Sequence, residues 1–243
     1  MSREGHGSLR LPVPGADLSA EIPLPSAALR YLTVRRAGPG TPLVVFDGRG
    51  HEVAATLVLV GETLVARPTE APRAGLAGQA VHLWYGLPKG DKLDAVIRDV
   101  TELGVGHIQL LACRRSVVKL EGDRVASRME RLERIAAEAA RQCGRADVPA
   151  IEAPRSVAQA LAEHAGGSLL VLHPDASARS FSEIALVAPT TVCVGPEGGF
   201  APEELAAFEQ AGALRVKLHA PVLRTETAAP VACALALHRL GLL

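Results

Sequence analysis

The chain has 243 residues, 48% of them hydrophobic but only 3% aromatic, so Ala, Leu and Val must fill its interior. The formal net charge is zero, which excludes a strongly basic protein, yet residues 89–145 carry 12 basic and 9 acidic groups, whereas residues 146–243 carry 6 and 10. No apolar run approaches the roughly 18–20 residues of a membrane span, and residues 1–10 lack the apolar segment of a signal peptide, so we expect a cytoplasmic protein without a membrane partner.

The first third of the chain has the pattern of a small β domain. The apolar run 42–46 ends at a turn signal, Asp47-Gly48-Arg49-Gly50, and strand-like patterns resume at 52–60 and 62–67. Short strands joined by tight turns predict a small β-barrel. Residues 68–79 are rich in Pro, Gly and Ala and show no periodicity. We therefore predict two domains, residues 1–72 and 78–243.

Strands alternate with helices in the second domain. Strands are predicted at 81–87, 108–112, 168–172, 191–194 and 214–218, and helices after Lys89, at 124–143 and from Pro202 to a stop at Gly212. The strands at 168–172 and 191–194 are almost wholly apolar, which is typical of a parallel sheet buried on both faces. The order of the elements predicts a doubly wound α/β domain.

The cysteines and histidines give no metal signal. Cys113, Cys143, Cys193 and Cys233 lie far apart in or beside apolar runs, and the eight histidines are scattered. Such cysteines are typically small buried thiols. We predict that no metal is bound.

A glycine-rich segment, Gly195-Pro-Glu-Gly-Gly199, follows a predicted buried strand and precedes a helix. Ligands of open α/β sheets bind at the carboxyl ends of strands, where glycines let backbone N–H groups approach them. The segment matches neither the dinucleotide-binding fingerprint nor a P-loop. A purely structural strand-to-helix turn is the alternative.

A second polar segment, Val222-Leu-Arg-Thr-Glu-Thr-Ala-Ala-Pro230, also follows a predicted strand. Either Thr225 or Thr227 could cap the helix that follows. Pro230 favours Thr227, because the missing N–H of proline then falls in the first turn, where it costs nothing. Arg224 would lie in an extended loop, either facing a ligand or paired with Glu226 or with a carbonyl.

Together these segments resemble the SPOUT methyltransferases, and within them the ribosomal RNA small subunit methyltransferase E (RsmE) family. The resemblance extends over nearly the whole chain from Leu9 and includes Gly86-x-x-Lys-Gly-Asp-Lys92, Thr101-Glu-Leu-Gly-Val105, Arg115-Ser-Val, Gln142-Cys-Gly-Arg145 and Leu172-His-Pro174. It implies a PUA-like RNA-binding β-barrel, and a parallel-sheet domain whose C-terminal part forms a trefoil knot around S-adenosylmethionine. It also implies a homodimer that methylates uridine N3 in 16S ribosomal RNA, near the decoding centre of the small ribosomal subunit.

The resemblance also assigns site residues. Arg224 would stabilise the charge that develops on the uracil ring, and Glu226 or Glu197 would accept the N3 proton or orient Arg224. The S-adenosylmethionine site would comprise Leu172, His173, Gly195, Pro196, Glu197, Gly198, Gly199, Leu218, Val222, Leu223, Thr225 and Thr227. The candidates for RNA phosphate contacts are Arg10, Arg36, Lys89, Lys92, Arg114, Arg115, Lys119, Arg141 and Arg145.

The chain departs from the family pattern in two places. Arg30 and Arg35 stand where the family usually has His and Leu. Leu218-His-Ala-Pro221 stands where it usually has Leu-Gly-x-Arg, so a side chain replaces the glycine beside the cofactor and a charge near the substrate is lost. Two alternatives follow: a catalytically weak RNA-binding protein of the same fold, or a SPOUT methyltransferase with another RNA target, such as a tRNA.

Overall fold

A computed structural model describes residues 9–78, 80–117, 122–175, 178–218 and 221–243. The chain divides into two compact units. The first comprises residues 1–77 together with 137–148, and the second comprises residues 78–136 and 149–243. Among the described residues, no helix has both the length and the apolarity to cross a membrane.

The first unit is a mostly antiparallel β structure with one helix. Its elements are β1 (Leu9–Pro12), β2 (Ile22–Pro23), α1 (Ser26–Val34), β3 (Pro42–Phe46), β4 (His51–Val60), β5 (Thr63–Pro68) and β6 (Arg73–Ala74). The strand order is β1-β3-β4-β5-β2, and β6 pairs with β4. The predicted strands correspond to β3, β4 and β5, whereas α1 was not predicted.

Alternation of buried and more exposed residues along the strands gives this sheet one face that packs against the core. In β4, Val53, Ala55 and Leu57 are buried and alternate with more exposed residues, so one face packs inward. Gly61, at φ 60°, forms the two-residue turn between β4 and β5 with Glu62. Glycine adopts positive φ without strain, which permits this tight hairpin.

The second unit contains a seven-stranded parallel sheet, which confirms the predicted α/β class. Its strands are β7 (Val81–Gly86), β8 (His107–Leu111), β9 (Ala150–Arg155), β10 (Ser168–Leu172), β11 (Arg179–Ser180), β12 (Thr190–Val194) and β13 (Leu214–Lys217), in the order β11-β13-β10-β12-β7-β8-β9. Its helices are α2 (Lys92–Leu103), α4 (Val157–Ala162), α5 (Pro202–Gln210) and α6 (Thr225–Arg239); α3 (Asp123–Cys143) belongs to it through residue 136.

Central strands of the sheet are buried throughout. All five residues of β12 are buried, as expected for a strand covered on both faces. On one side Phe200 and Phe208 pack edge to face with their ring centroids 5.0 Å apart, within a cluster that includes Trp84 and Cys193. The other face of β12 contacts α6.

The prediction that Thr227 caps the last helix is wrong. The helix begins at Thr225 with Arg224 at the N-cap, so Pro230 lies inside it. The extra turn is held by the carbonyl of Arg224, which accepts hydrogen bonds from the N–H groups of Thr227 (3.0 Å) and Ala228 (2.8 Å). Burial of the small residues on this helix outweighs the hydrogen bond that Pro230 cannot donate.

Candidate active site

The carboxyl ends of β10, β12 and β13 meet at one edge of the parallel sheet and surround a cavity of about 910 Å³. The cavity is lined by the segments that follow these strands and by the start of α6. All but one of the predicted cofactor residues line it: Leu172, His173, Gly195, Pro196, Glu197, Gly198, Gly199, Leu218, Val222, Leu223 and Thr225. Thr227, the exception, is exposed in the first turn of α6.

The cavity also has lining residues that the cofactor prediction missed. These are Arg115, Pro174, Val194, Phe200, Lys217, Pro221 and Ala228. Each is adjacent in sequence to a strand end or to a predicted segment, except Arg115, which comes from the loop after β8. Arg115 donates a hydrogen bond from Nη1 to the Gly198 carbonyl at 3.1 Å. Its place here follows from tertiary contact with the glycine-rich loop.

The glycine-rich loop, residues 195–199, is shaped by close backbone approaches. The Gly199 N–H donates to the Pro196 carbonyl at 2.8 Å, and Gly199 has φ 67°. A Cβ on Gly86 would lie only 2.5 Å from Pro196 Cδ, so the end of β7 can approach the loop only as glycine. The loop therefore presents backbone atoms to the cavity.

The start of α5 is fixed to the loop after β8 by a buried carboxylate. Glu204 accepts hydrogen bonds from the N–H of Ala201 at 2.7 Å and from the N–H of Arg114 at 2.9 Å. It is 8% exposed. A buried carboxylate is stable only when hydrogen-bonded in this way, and here it holds in place the helix that follows the glycine-rich loop.

Lys92 lies between the two candidate proton acceptors. Its Nζ is 3.1 Å from Glu197 Oε1 and 3.2 Å from Glu226 Oε1. Hydrogen bonds to these two carboxylates raise the pKa of Lys92, so it remains charged at neutral pH. Glu226 therefore pairs with Lys92, which excludes the alternative in which it pairs with Arg224.

Both carboxylates are held in their ionised form. For Glu197, desolvation favours the neutral acid, but hydrogen bonds from its own N–H, from Lys92 and from the Lys89 N–H outweigh it, and the pKa is lowered. For Glu226, its own backbone N–H at the start of α6 is the largest cause, and the pKa is again lowered. A lowered pKa makes a carboxylate a weaker base, which disfavours both residues as proton acceptors.

Arg224 is exposed and, among the described residues, has no hydrogen-bond or ion-pair partner for its side chain. The next residue is tied inward instead. Tyr85 donates its hydroxyl hydrogen bond to Thr225 Oγ1 at 3.3 Å, and burial raises the pKa of Tyr85 to about 12. The buried tyrosine thus anchors the helix start, and the guanidinium beside it stays available for a ligand.

Three of the four cysteines lack the features of nucleophiles. Cys113, Cys193 and Cys233 are buried, and desolvation raises the pKa of each, to about 12 for Cys113 and Cys233. Thiols in such surroundings stay protonated. Among the described residues, no group of three His, Cys, Asp or Glu side chains is placed to hold a metal.

The predicted RNA-contact residues occupy different environments. In the first unit Arg145 is 1% exposed and paired with Asp147, and the guanidinium of Arg10 bonds Glu52 and the Arg145 carbonyl. These two guanidinium groups are engaged inside the fold, which leaves them unsuited to phosphate contact. Arg36 is exposed, and Arg141 stacks on the Tyr31 ring at 3.8 Å while pairing with Glu138.

In the second unit Lys89 and Arg114 are exposed, and Arg114 pairs with Glu203 at 2.8 Å. Lys92 and Arg115 belong to the surroundings of the cavity, as described above. Lys119 lies outside the described residues, as do His219 and Ala220 of the segment that departs from the family pattern.

Comparisons with known proteins agree with this geometry. Residues 77–237 match the family described as the RNA methyltransferase domain. The chain is 35% identical over 218 residues to ribosomal RNA small subunit methyltransferase E of Mycobacterium bovis, covering 82% of this chain and 79% of that protein. It is 31% identical to the Synechocystis protein of the same name, covering 89% and 73%.

Solved structures give the same result. The structure of ribosomal RNA small subunit methyltransferase E from Neisseria gonorrhoeae, bound to S-adenosyl methionine, matches with a TM-score of 0.84 and 28% identity, covering 96% of this chain and 98% of that one. A Legionella pneumophila structure in complex with the cofactor SAM matches with a TM-score of 0.86 and 27% identity, over the same shares of the two chains.

Proposed function

The chain belongs to the ribosomal RNA small subunit methyltransferase E family, and from this membership we propose that it methylates N3 of a uridine in 16S ribosomal RNA, near the decoding centre. It is an S-adenosylmethionine-dependent ribosomal RNA methyltransferase, as its relatives' names and cofactor-bound structures indicate. The observation that carries the proposal is the cavity at the carboxyl ends of β10, β12 and β13, with Arg224 beside it.

The residues around the cavity fit S-adenosylmethionine. A volume of about 910 Å³ suits a ligand of this size. The glycine-rich loop supplies backbone groups for the polar parts, and Leu172, Leu218 and Leu223 supply apolar walls. When bound, the sulfonium supplies an electrophilic methyl group, so that the bond to N3 forms as the carbon–sulfur bond breaks.

Arg224 and the acidic residues have separate tasks in this proposal. Uridine N3 must lose a proton, and the negative charge then spreads onto the ring oxygens. Arg224 carries a cation at the start of α6, unpaired among the described residues, and would stabilise that charge. Because both carboxylates have lowered pKa values, we assign Glu197 and Glu226 to their ion pairs with Lys92 rather than to proton acceptance, and leave the N3 proton to water.

We assign RNA contact in the first unit to an arginine edge, defined as Arg30 within α1 and Arg35 and Arg36 directly after it. Arg30 and Arg36 are exposed and have no carboxylate partner among the described residues, and Arg35 bonds only the Tyr31 hydroxyl, at 3.2 Å. Other arginines of this unit, such as Arg67 and Arg73, are paired with glutamates. Unneutralised arginines bind phosphates and release counterions.

Salt dependence of RNA affinity tests the arginine edge. Replacing all three arginines by Gln should reduce the magnitude of the slope of log affinity against log salt concentration by about 2–3. Each lost phosphate contact reduces this slope by roughly 0.7–0.9. Arg67→Gln, which disrupts a pair with Glu21, is the matched control and should leave the slope unchanged. An unchanged slope in the triple variant would remove the edge from the RNA interface.

Several finer features follow from family membership. We propose that the first unit is a PUA-like barrel, which its buried apolar core and mostly antiparallel strands support. We also propose that the C-terminal segments from β12 to α6 form a trefoil knot, a feature that general chain topology rarely allows. The units would correspond to domains of residues 1–72 and 78–243, with 137–148 added to the first.

We further propose that the protein is a homodimer that acts on the small ribosomal subunit in the cytoplasm. Val231 and Leu235 lie four residues apart on α6 and are each 37% exposed, and Leu242 is 56% exposed. Residues four apart share one helix face. An exposed apolar face of this kind supports burial against a second copy.

The decisive experiment incubates the protein with labelled S-adenosylmethionine and small ribosomal subunits from cells that lack this methylation. Mass spectrometry of the nucleosides should reveal N3-methyluridine at one site. Transfer to tRNA instead would favour the alternative RNA target. Cofactor binding without transfer to any RNA would favour the catalytically weak RNA-binding protein, whose motivation is the altered segment 218–221.

A further inference from the structure

Lys92 joins two separate parts of the candidate site. It is the first residue of α2. One carboxylate that it contacts, Glu197, belongs to the glycine-rich loop and lines the cavity. The other, Glu226, belongs to the first turn of α6, next to the cavity-lining Thr225. A single ammonium group therefore connects the loop, α2 and α6.

The surroundings of Lys92 distinguish it from a surface phosphate contact. Its side chain is 34% exposed, and those of Glu197 and Glu226 are 31% and 22% exposed. Hydrogen bonds to both carboxylates raise its pKa. An RNA phosphate would have to compete with two carboxylates already in contact, at the cost of leaving them without a cation.

We propose that Lys92 is a positioning residue that holds the glycine-rich loop and the start of α6 in the arrangement that binds S-adenosylmethionine. This inference rests on the proposed function, because it takes the cavity to be the cofactor site. It replaces the sequence-based assignment of Lys92 to RNA contact. Lys92 acts through Glu197 and Glu226 and needs no contact with the cofactor itself.

The charge balance of the three groups leads to a specific expectation. Without Lys92, two ionised carboxylates face the same space and repel each other. Glu197 would then move with the loop that lines the cavity, and Glu226 with the start of α6. Removing one of the negative charges should relieve this repulsion and restore much of the arrangement, although Lys92 stays absent.

The test measures the S-adenosylmethionine dissociation constant by calorimetry, without RNA, in four variants. Lys92→Met should weaken binding about tenfold, within the coupling energies of groups in one ion-pair network. Lys92→Arg, which keeps the charge, should stay within about threefold of wild type. Lys92→Met/Glu226→Gln should recover most of the lost affinity. Arg98→Met, on the same helix and paired with Asp99, is the matched control.

Thermal unfolding of each variant checks the fold. If Lys92→Met binds the cofactor as tightly as wild type does, the inference is overturned. If the variant also loses RNA affinity, the RNA-contact assignment is restored. A Lys92→Met/Glu226→Gln variant that binds the cofactor as weakly as Lys92→Met would also overturn the inference. The inference requires that removal of one negative charge relieves the repulsion, and this requirement holds even if Lys92→Met alone unfolds. Absence of binding in the wild-type protein would instead refute the proposed function itself.

Discussion

Arg224 differs from most arginines of the second unit because its guanidinium has no partner among the described residues. Arg114, Arg128, Arg131 and Arg155 are all paired with carboxylates. Its neighbours Leu223 and Thr225 line the cavity, so such a cation at this position fits the role that we propose for it, stabilisation of charge on the substrate. Its backbone is fixed by the helix that it caps, so the side chain extends from a defined point beside the cavity.

Replacing Arg224 by Gln should lower kcat about 100-fold, which is the usual scale for removal of one group that stabilises a developing charge. The S-adenosylmethionine dissociation constant should change less than about twofold, because the charge of Arg224 acts on the substrate in the transition state and not on the bound cofactor. Single-turnover methylation and calorimetry measure the two quantities. Equal losses in cofactor affinity and rate would instead assign Arg224 to cofactor binding.

The lowered pKa values of Glu197 and Glu226 have a consequence for stability in acid. A carboxylate whose pKa is lower in the folded chain than its ordinary value of 4.5 stabilises the fold above that value. This contribution is lost as the pH falls from about 4.5 through the lower folded pKa. Melting temperatures measured between pH 6 and pH 3 should fall less steeply for Glu197→Gln than for wild type. Equal slopes for Glu197→Gln and wild type would contradict the prediction.

At the scale of the elements, the glycine-rich loop depends on the end of β7. A Cβ at residue 86 would come within 2.5 Å of Pro196 Cδ and 2.6 Å of Pro196 N. Gly86→Ala should therefore displace the loop, destabilise the protein by about 1–3 kcal/mol as overpacking does, and weaken cofactor binding. Gly38→Ala is the matched control, because nothing lies within 4 Å of its added Cβ. Denaturant unfolding and calorimetry together check the prediction, and unchanged cofactor affinity in Gly86→Ala would refute it.

Elements with strong apolar patterns were predicted well. The predicted strand at 168–172 and helix at 124–143 correspond to Ser168–Leu172 and Asp123–Cys143. The edge strand β9 was missed because Ala150–Arg155 has no buried residue and no apolar run. The start of α6 was misplaced because the local preference of Pro230 was overruled by burial of Ala228 and Ala229.

The candidate site was predictable where it follows from chain order. Loops that follow parallel strands meet at one edge of the sheet, so the cavity-lining segments could be grouped from the sequence. The Lys92 bridge could not, because Lys92 and Glu197 are 105 residues apart and only folding brings them together. The same holds for Arg145, which looked like a surface charge and is buried against Asp147.

At the scale of the whole molecule, the exposed apolar face of α6 bears on the state of assembly. Val231 and Leu235 are exposed on a helix whose other side, with Ala232 and Ala236, is buried.

If a second copy covers this face, as we propose, a charge introduced there must be desolvated on association. Leu235→Lys should therefore convert a dimer into a monomer, with half the mass in light scattering. If the two subunits also share the active site, as the resemblance to the family implies, methylation should fall in parallel with the dimer fraction. Leu59→Lys, at an exposed position of the first unit, should leave mass and activity unchanged. A Leu235→Lys variant that stays dimeric would place the interface elsewhere.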